Sequence, residues 1–199
     1  QVFLQDIDAG NLKKSFLTME KSLQKLNEKG RITEAPSVVL ARIRPITSLE
    51  DLKSAELVIE AATENRELKK KIFQQLDLLL KPTAIIGTNT SSISITELAA
   101  ATKRPQQFIG IHFMNPVPLM KLVEVICGQL TSKETFDRVS GLLTLIEKQC
   151  IQSQDFPGFI VNRILMPMIN EAIYALYEGV GKKEDIDRGM KLGTNQPMG

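Results

Sequence analysis

Apolar positions along the chain change period several times, and each change marks an element. Val2–Gln5 is a short apolar run ending in acids, Asp6 and Asp8, and reads as a strand. From Ala9 to Lys29, Leu12, Phe16, Met19, Leu23 and Leu26 recur at the spacing of one helical face, with lysines between them and Gly30 as a stop. "TEAPSVVLARIRP" predicts a short helix after Pro36 and a short strand near Ile43. Strand and helix then alternate. Ser48 caps a short helix, Glu56–Ala62 is a strand, and "NRELKKKIFQQLDLLL" is an amphipathic helix. Thr83–Thr90 is a strand, followed by a helix with the capping box Ser94-x-x-Glu97. Phe108–Met114 and Leu122–Gly128 are strands, and the next helix carries a box at Thr131-x-x-Glu134. Near-continuous apolar strands alternating with helices predict an α/β fold built on a parallel, doubly wound sheet covered on both faces.

The rhythm ends near Gln152. "QSQDFPG" reads as a turn-rich linker. A long apolar helix follows, interrupted by Pro167 and closed by Gly179, and then a short helix closed by Gly193. The pattern divides the chain into residues 1–154, the α/β unit, and residues 155–199, the start of an all-helical domain. Met166, Met168 and Met190 are expected in its core. The chain opens on a strand without an initiator Met and stops just after a helix, so both ends look cut.

Composition narrows the chemistry. Lys+Arg of 25 against Asp+Glu of 23 argues against nucleic acid or a membrane surface as the main partner. No apolar run is long enough to span a bilayer. Cys127 and Cys150 have neither metal spacing nor a disulfide framework, which points to a reducing, intracellular setting.

Candidate site residues gather at predicted strand ends, the edge where open parallel sheets bind ligands. Asp6 could hydrogen-bond the ribose of a dinucleotide or cap the next helix. Glu64 and Lys69 could serve a ligand or simply be a solvated helix start. Asn89, Thr90, Ser91 and Ser92 could be caps, or could hold a substrate hydroxyl or a nicotinamide carboxamide. His112 is the only histidine in the chain and lies between apolar residues. A core histidine would explain that, but Glu124, isolated inside an apolar strand, is costly there unless paired. Two neighbouring strands joined by the Pro116–Lys121 connection would bring the two together. The carboxylate would then fix the ring tautomer and leave the other nitrogen as a general base. One histidine and one acid cannot hold a metal, so none is expected. Asn162 could reach into a cleft between the domains or bond a neighbouring helix. The lysines of Leu12–Lys29 suit a solvated face, with Ser22 and Lys29 able to meet an anionic nucleotide tail.

"IGTNTSS", "GIHFMNPVPLMKLVEVI", "DFPGFIVNRIL", "NEAI" and "DIDRGMKLG" through "PMG" resemble, in order and over essentially the whole chain, the 3-hydroxyacyl-CoA dehydrogenases, especially the single-function short-chain or 3-hydroxybutyryl-CoA type. The resemblance implies a Rossmann-like NAD-binding domain and oxidation of L-3-hydroxyacyl-CoA to 3-ketoacyl-CoA, reversibly, in fatty-acid β-oxidation or butyryl-CoA metabolism. It implies His112 as general base, Glu124 as its orienting partner, and Ser91 and Asn162 on the reacting oxygen. Asp6, Glu64, Lys69, Ser91 and Asn115 would match cofactor positions, and Ser22 and Lys29 coenzyme A positions. NAD is favoured over NADP because Asp6 would repel a 2′-phosphate. A homodimer is implied for the full-length protein, with the cytoplasm as default location and mitochondrion or peroxisome left open.

The sequence departs from the family at both ends: the glycine-rich loop and first strand are absent before Gln1, and most C-terminal helices after Gly199. The stretch alone is therefore expected to be inactive or poorly stable. Multifunctional β-oxidation proteins carry the same module but typically have Ser where this chain has Asn115, and the L-gulonate dehydrogenase branch departs from "NPVPLMKLVEVI". A non-catalytic acyl-CoA-binding relative stays open as the other class.

Overall fold

The computed structural model describes residues 2–199. Strand β1 (Val2–Gln5) pairs in parallel with β2 (Ile43–Ile46), and the long α1 (Ala9–Glu28) and short α2 (Pro36–Leu40) make the crossover. Five further strands form a second sheet in simple sequence order: β3 (Leu57–Glu60), β4 (Ile85–Thr88), β5 (Phe108–Phe113), β6 (Leu122–Cys127) and β7 (Gln149–Gln154). The helices α3 (Arg66–Leu79), α4 (Ile95–Ala99) and α5 (Lys133–Leu145) connect β3 to β4, β4 to β5 and β6 to β7. Each of these crossovers returns the chain to the same end of the sheet, so those pairs are parallel. Beyond β7 lie α6 (Val161–Tyr177) and α7 (Lys183–Gly193).

One apolar core joins the two sheets. Ile46 and Leu52 from the β2 side pack with Phe73 and Leu76 of α3 and with Phe108 of β5. Each such side chain contributes about 1.5–3 kcal/mol on burial. A second core on the opposite face holds Ile109, Ile111, Val123 and Val125 against Val139 and Leu143 of α5.

Several expectations need correction. The sheet is not wholly parallel: β5 and β6 run antiparallel, because the connection between them is too short for a crossover. The stretch read as a linker from Gln152 is half strand. Gln149–Gln154 pairs residue for residue with β6, and its polar composition suits a strand with one neighbour only. No capping box forms at Thr131, and the cap is the next residue, Ser132. Ser132 accepts the Thr135 N–H at 3.1 Å, while the Thr131 hydroxyl donates to the Phe108 carbonyl at 2.7 Å. At Ser94 only half the box forms: its hydroxyl oxygen accepts the Glu97 N–H, but the Glu97 carboxylate turns to Lys70 at 2.8 Å.

Pro167 does not interrupt α6. It removes one bond from the ladder, and the helix runs on to Tyr177. Gly193 is the last residue of α7 rather than its stop; Thr194 caps it and Asn195 takes the left-handed turn. Met166 is not core but 57% exposed, since no residue of α6 is buried.

Candidate active site

The antiparallel β5–β6 pair sets His112 directly opposite Glu124. Their side chains meet, Nδ1 to Oε2, at 2.8 Å. Glu124 is completely buried, and its other oxygen accepts the Ile160 N–H at 3.0 Å and the Val161 N–H at 2.8 Å. These amides open α6, so the carboxylate sits at the positive end of a 17-residue helix. Three hydrogen bonds offset the cost of placing a carboxylate inside an apolar strand. An ionised Glu124 can only accept, so Nδ1 carries the proton and Nε2 is left as the acceptor. The Phe159 ring lies edge-on to the imidazole at 5.7 Å, leaving His112 only 6% exposed.

A second cluster occupies the carboxyl ends of β3 and β4. Glu60 and Thr88, opposite one another in register, are both buried. Glu60 receives the Lys69 ammonium on both oxygens at 2.8 and 2.7 Å and the Thr88 hydroxyl at 2.8 Å. Lys69 is thus not a solvated helix start. It is 1% exposed and held between Glu60 and Glu64, which lies 3.6 Å from its ammonium.

Glu64 reaches across to the next turn of chain. One oxygen accepts from the Thr90 hydroxyl, from the Ser91 N–H at 2.9 Å and from the Ser92 hydroxyl at 3.4 Å. Burial pushes its carboxyl upward, but the bonds from Thr90 and Ser91, with Lys69 and Ser92, outweigh this and hold it below the ordinary range. Thr90 in turn caps the turn by accepting the Ile93 N–H at 3.0 Å. Asn89 accepts the Phe113 N–H at 2.9 Å, tying the end of β4 beside the end of β5.

The structure therefore brings His112, Glu124, Asn162 and the Asn89–Ser92 turn to one edge. Asn162 follows the Val161 amide that caps Glu124 and is half-buried, while the Ser91 and Asn115 side chains are exposed. Asp6, Ser22 and Lys29 lie apart on the β1–α1 side. Asp6 accepts the Asp8 N–H at 2.8 Å on one oxygen, and Asp8, not Asp6, is the cap of α1. Ser22 on α1 and Lys29, the residue that caps its C-terminus, are both exposed. A cavity of about 590 Å³ opens between α1 and β2, with Leu12, Phe16, Pro45 and Ile46 in its wall and Lys13 and Arg44 among its polar members. Both cysteines are free, and burial raises both thiols, so neither is a poised nucleophile.

Sequence reasoning missed Glu60, Thr88 and Asp155. Glu60 carried a readable signal, the same one that marks Glu124: a lone acid in an apolar strand. Asp155 gave none, since its partners lie about sixty residues earlier in the chain.

Residues 1–156 match the 3-hydroxyacyl-CoA dehydrogenase NAD binding domain, and residues 158–199 match the C-terminal domain of the same family. The chain belongs to the 3-hydroxyacyl-CoA dehydrogenase family. Among its relatives is the 3-hydroxybutyryl-CoA dehydrogenase of Bradyrhizobium diazoefficiens, 54% identical over 199 residues, covering 100% of this chain and 68% of that protein. The 3-hydroxybutyryl-CoA dehydrogenase of Clostridioides difficile is 50% identical and is covered over 71% of its length. Among solved structures, the (S)-3-hydroxybutyryl-CoA dehydrogenase of Ralstonia eutropha superposes with a TM-score of 0.97 at 50% identity, covering 100% of this chain and 71% of that one. The fold is accordingly the Rossmann-like α/β unit with a mostly parallel sheet, followed by the start of a helical domain.

Proposed function

We propose that this chain is the catalytic part of an NAD-dependent 3-hydroxyacyl-CoA dehydrogenase that interconverts L-3-hydroxyacyl-CoA and 3-ketoacyl-CoA, with 3-hydroxybutyryl-CoA as its short-chain substrate. The observation that carries this reading is the buried Glu124 carboxylate 2.8 Å from His112 Nδ1, which leaves Nε2 as the proton acceptor.

In oxidation, Nε2 of His112 takes the proton of the 3-hydroxyl group. Glu124 stabilises the imidazolium so formed and holds the ring in plane. In reduction His112 returns the proton to the new alkoxide. Ser91 and Asn162 flank that oxygen and align it with Nε2. Bound NAD supplies the hydride acceptor. The residues present suit that cofactor in that one Asp6 oxygen remains for a ribose hydroxyl pair. Glu64 and Asn115 serve the nicotinamide end, with Lys69 acting through Glu60 and Glu64 because its own surface is closed off. Ser22 and Lys29 serve coenzyme A. We place the functional division at residues 1–154 and 155–199. A homodimer for the full-length protein stays part of this reading.

The test follows NADH absorbance in the full-length protein with acetoacetyl-CoA, for wild type and His112→Gln. General acid–base catalysis of this kind is worth about 10²–10⁴-fold, and a loss of that size is expected. Activity unaffected by the substitution would remove His112 from the chemistry. An inactive wild type that still binds acetoacetyl-CoA would point instead to a binding protein.

A further inference from the structure

The linker between β7 and α6 is tied down at both ends by different carboxylates. At its start Asp155 grips the opening turn of α4: Oδ1 accepts the Ile95 N–H at 2.8 Å, and Oδ2 accepts the Ser94 hydroxyl at 2.7 Å and the Thr96 N–H at 2.8 Å. At its end Glu124 accepts the Ile160 and Val161 amides. Between them the backbone turns through left-handed φ at Gly158 (79°) and Phe159 (51°). The Gly158 carbonyl accepts the Arg163 N–H at 3.0 Å, and the Phe159 N–H donates to Phe156 at 2.9 Å. A Cβ on Gly158 would lie 3.0 Å from the Arg163 nitrogen, so the turn leaves little room for another shape. The Phe159 side chain is anchored in the main core.

What this linker joins is specific. Ser91 lies three residues before Ser94, in the turn that Glu64 holds from its other side. Asn162 lies one residue after Val161. We propose that Asp155 is a positioning residue for the dehydrogenase reaction, fixing the Ser91 turn to the linker that presents Asn162, so that both side chains meet one substrate oxygen beside His112. This rests on the dehydrogenase reading above. Asp155 itself does not touch substrate. It acts by closing a loop of contacts that runs Glu64, Ser91 turn, Ser94, Asp155, linker, Glu124 and His112. Apart from the sheet and the Phe159 anchor in the core, this grip is what joins the two halves of the oxygen site.

An amide at 155 keeps the size and one acceptor but sets an NH₂ group against a donor on α4, since all three partners donate. The turn must then shift, and a displacement of about 1 Å in a reacting geometry can cost about 100-fold. The experiment compares wild type, Asp155→Asn and Ser94→Ala in the full-length protein. It measures kcat for acetoacetyl-CoA reduction and the stoichiometry of NADH binding. Asp155→Asn is expected to lower kcat about 10- to 100-fold while binding as much NADH per chain as wild type, with Ser94→Ala, which removes one bond of three, falling between. A kcat that stays at the wild-type level in both variants overturns the proposal. So does a kcat that falls only in step with NADH stoichiometry, because that marks lost folded protein. A wild type that fails to turn over acetoacetyl-CoA overturns the dehydrogenase reading first, and this role with it.

Discussion

Glu124→Gln separates the orienting role of the carboxylate from its structural one. Glu124 serves three donors: the His112 ring on one oxygen, and the Ile160 and Val161 amides on the other. Glutamine has one acceptor oxygen. If that oxygen faces the two amides, the NH₂ group faces Nδ1, which must then accept, and the ring proton moves to Nε2. The nitrogen proposed to take the substrate proton is then already protonated. If the amide flips, the histidine keeps its tautomer, but two buried N–H groups at the start of α6 face an NH₂ group. Each unsatisfied donor costs about 1–3 kcal/mol, so the first arrangement wins. A wrong tautomer in a comparable carboxylate–histidine pair costs about 10⁴ in kcat, or about 5.5 kcal/mol of transition-state stabilisation. We therefore expect kcat for NAD-dependent oxidation of 3-hydroxybutyryl-CoA to fall about 10³- to 10⁴-fold, with NADH still bound stoichiometrically and a cooperative thermal transition retained. A Glu124→Gln protein within tenfold of wild type would refute the tautomer argument.

Lys69→Met leaves Glu60 buried against Thr88 without its cation, and urea denaturation should register a loss of about 3–5 kcal/mol. Adding Glu60→Gln should recover part of it, and no recovery would show that the loss comes from packing. Asp155 is pushed up by burial but held below the ordinary aspartate range by the hydrogen bonds from Ser94, Thr96 and Ile95. A depressed carboxylate stabilises the fold above its unfolded pKa of about 3.9 and loses that contribution as pH falls through the folded value. The Tm of wild type should therefore fall more steeply below about pH 4 than that of Asp155→Asn, and parallel acid limbs would count against this.

How much of the fold and site is readable from sequence depends on whether the cause is local. Helix faces, the stops at Gly30 and Gly179, and six strand positions follow from apolar period and backbone chemistry, and the structure has them. The antiparallel turn at β5–β6 is implied by the short Pro116–Lys121 connection, yet the alternation of elements hides it behind an all-parallel expectation. β7 is invisible as a whole because an edge strand with polar residues needs a neighbour, not a pattern. The His112–Glu124 pair is legible because an unpaired acid in an apolar strand is expensive, and that cost by itself demands a partner. Lys69 is misread for the converse reason. A lysine near a helix start is ordinarily solvated, and only Glu60 beside it makes burial tolerable.

Glu124 also explains why sheet and helical segment are joined where they are. Its first oxygen sets the histidine tautomer, and its second stands in for the missing cap of α6, whose N-cap, Ile160, has no side chain able to do that work. Any movement of α6 away from the sheet must therefore either expose two amides or draw the carboxylate off the imidazole. An arrangement with the helical segment displaced would leave either the Ile160 and Val161 amides without Glu124 or His112 without its carboxylate partner.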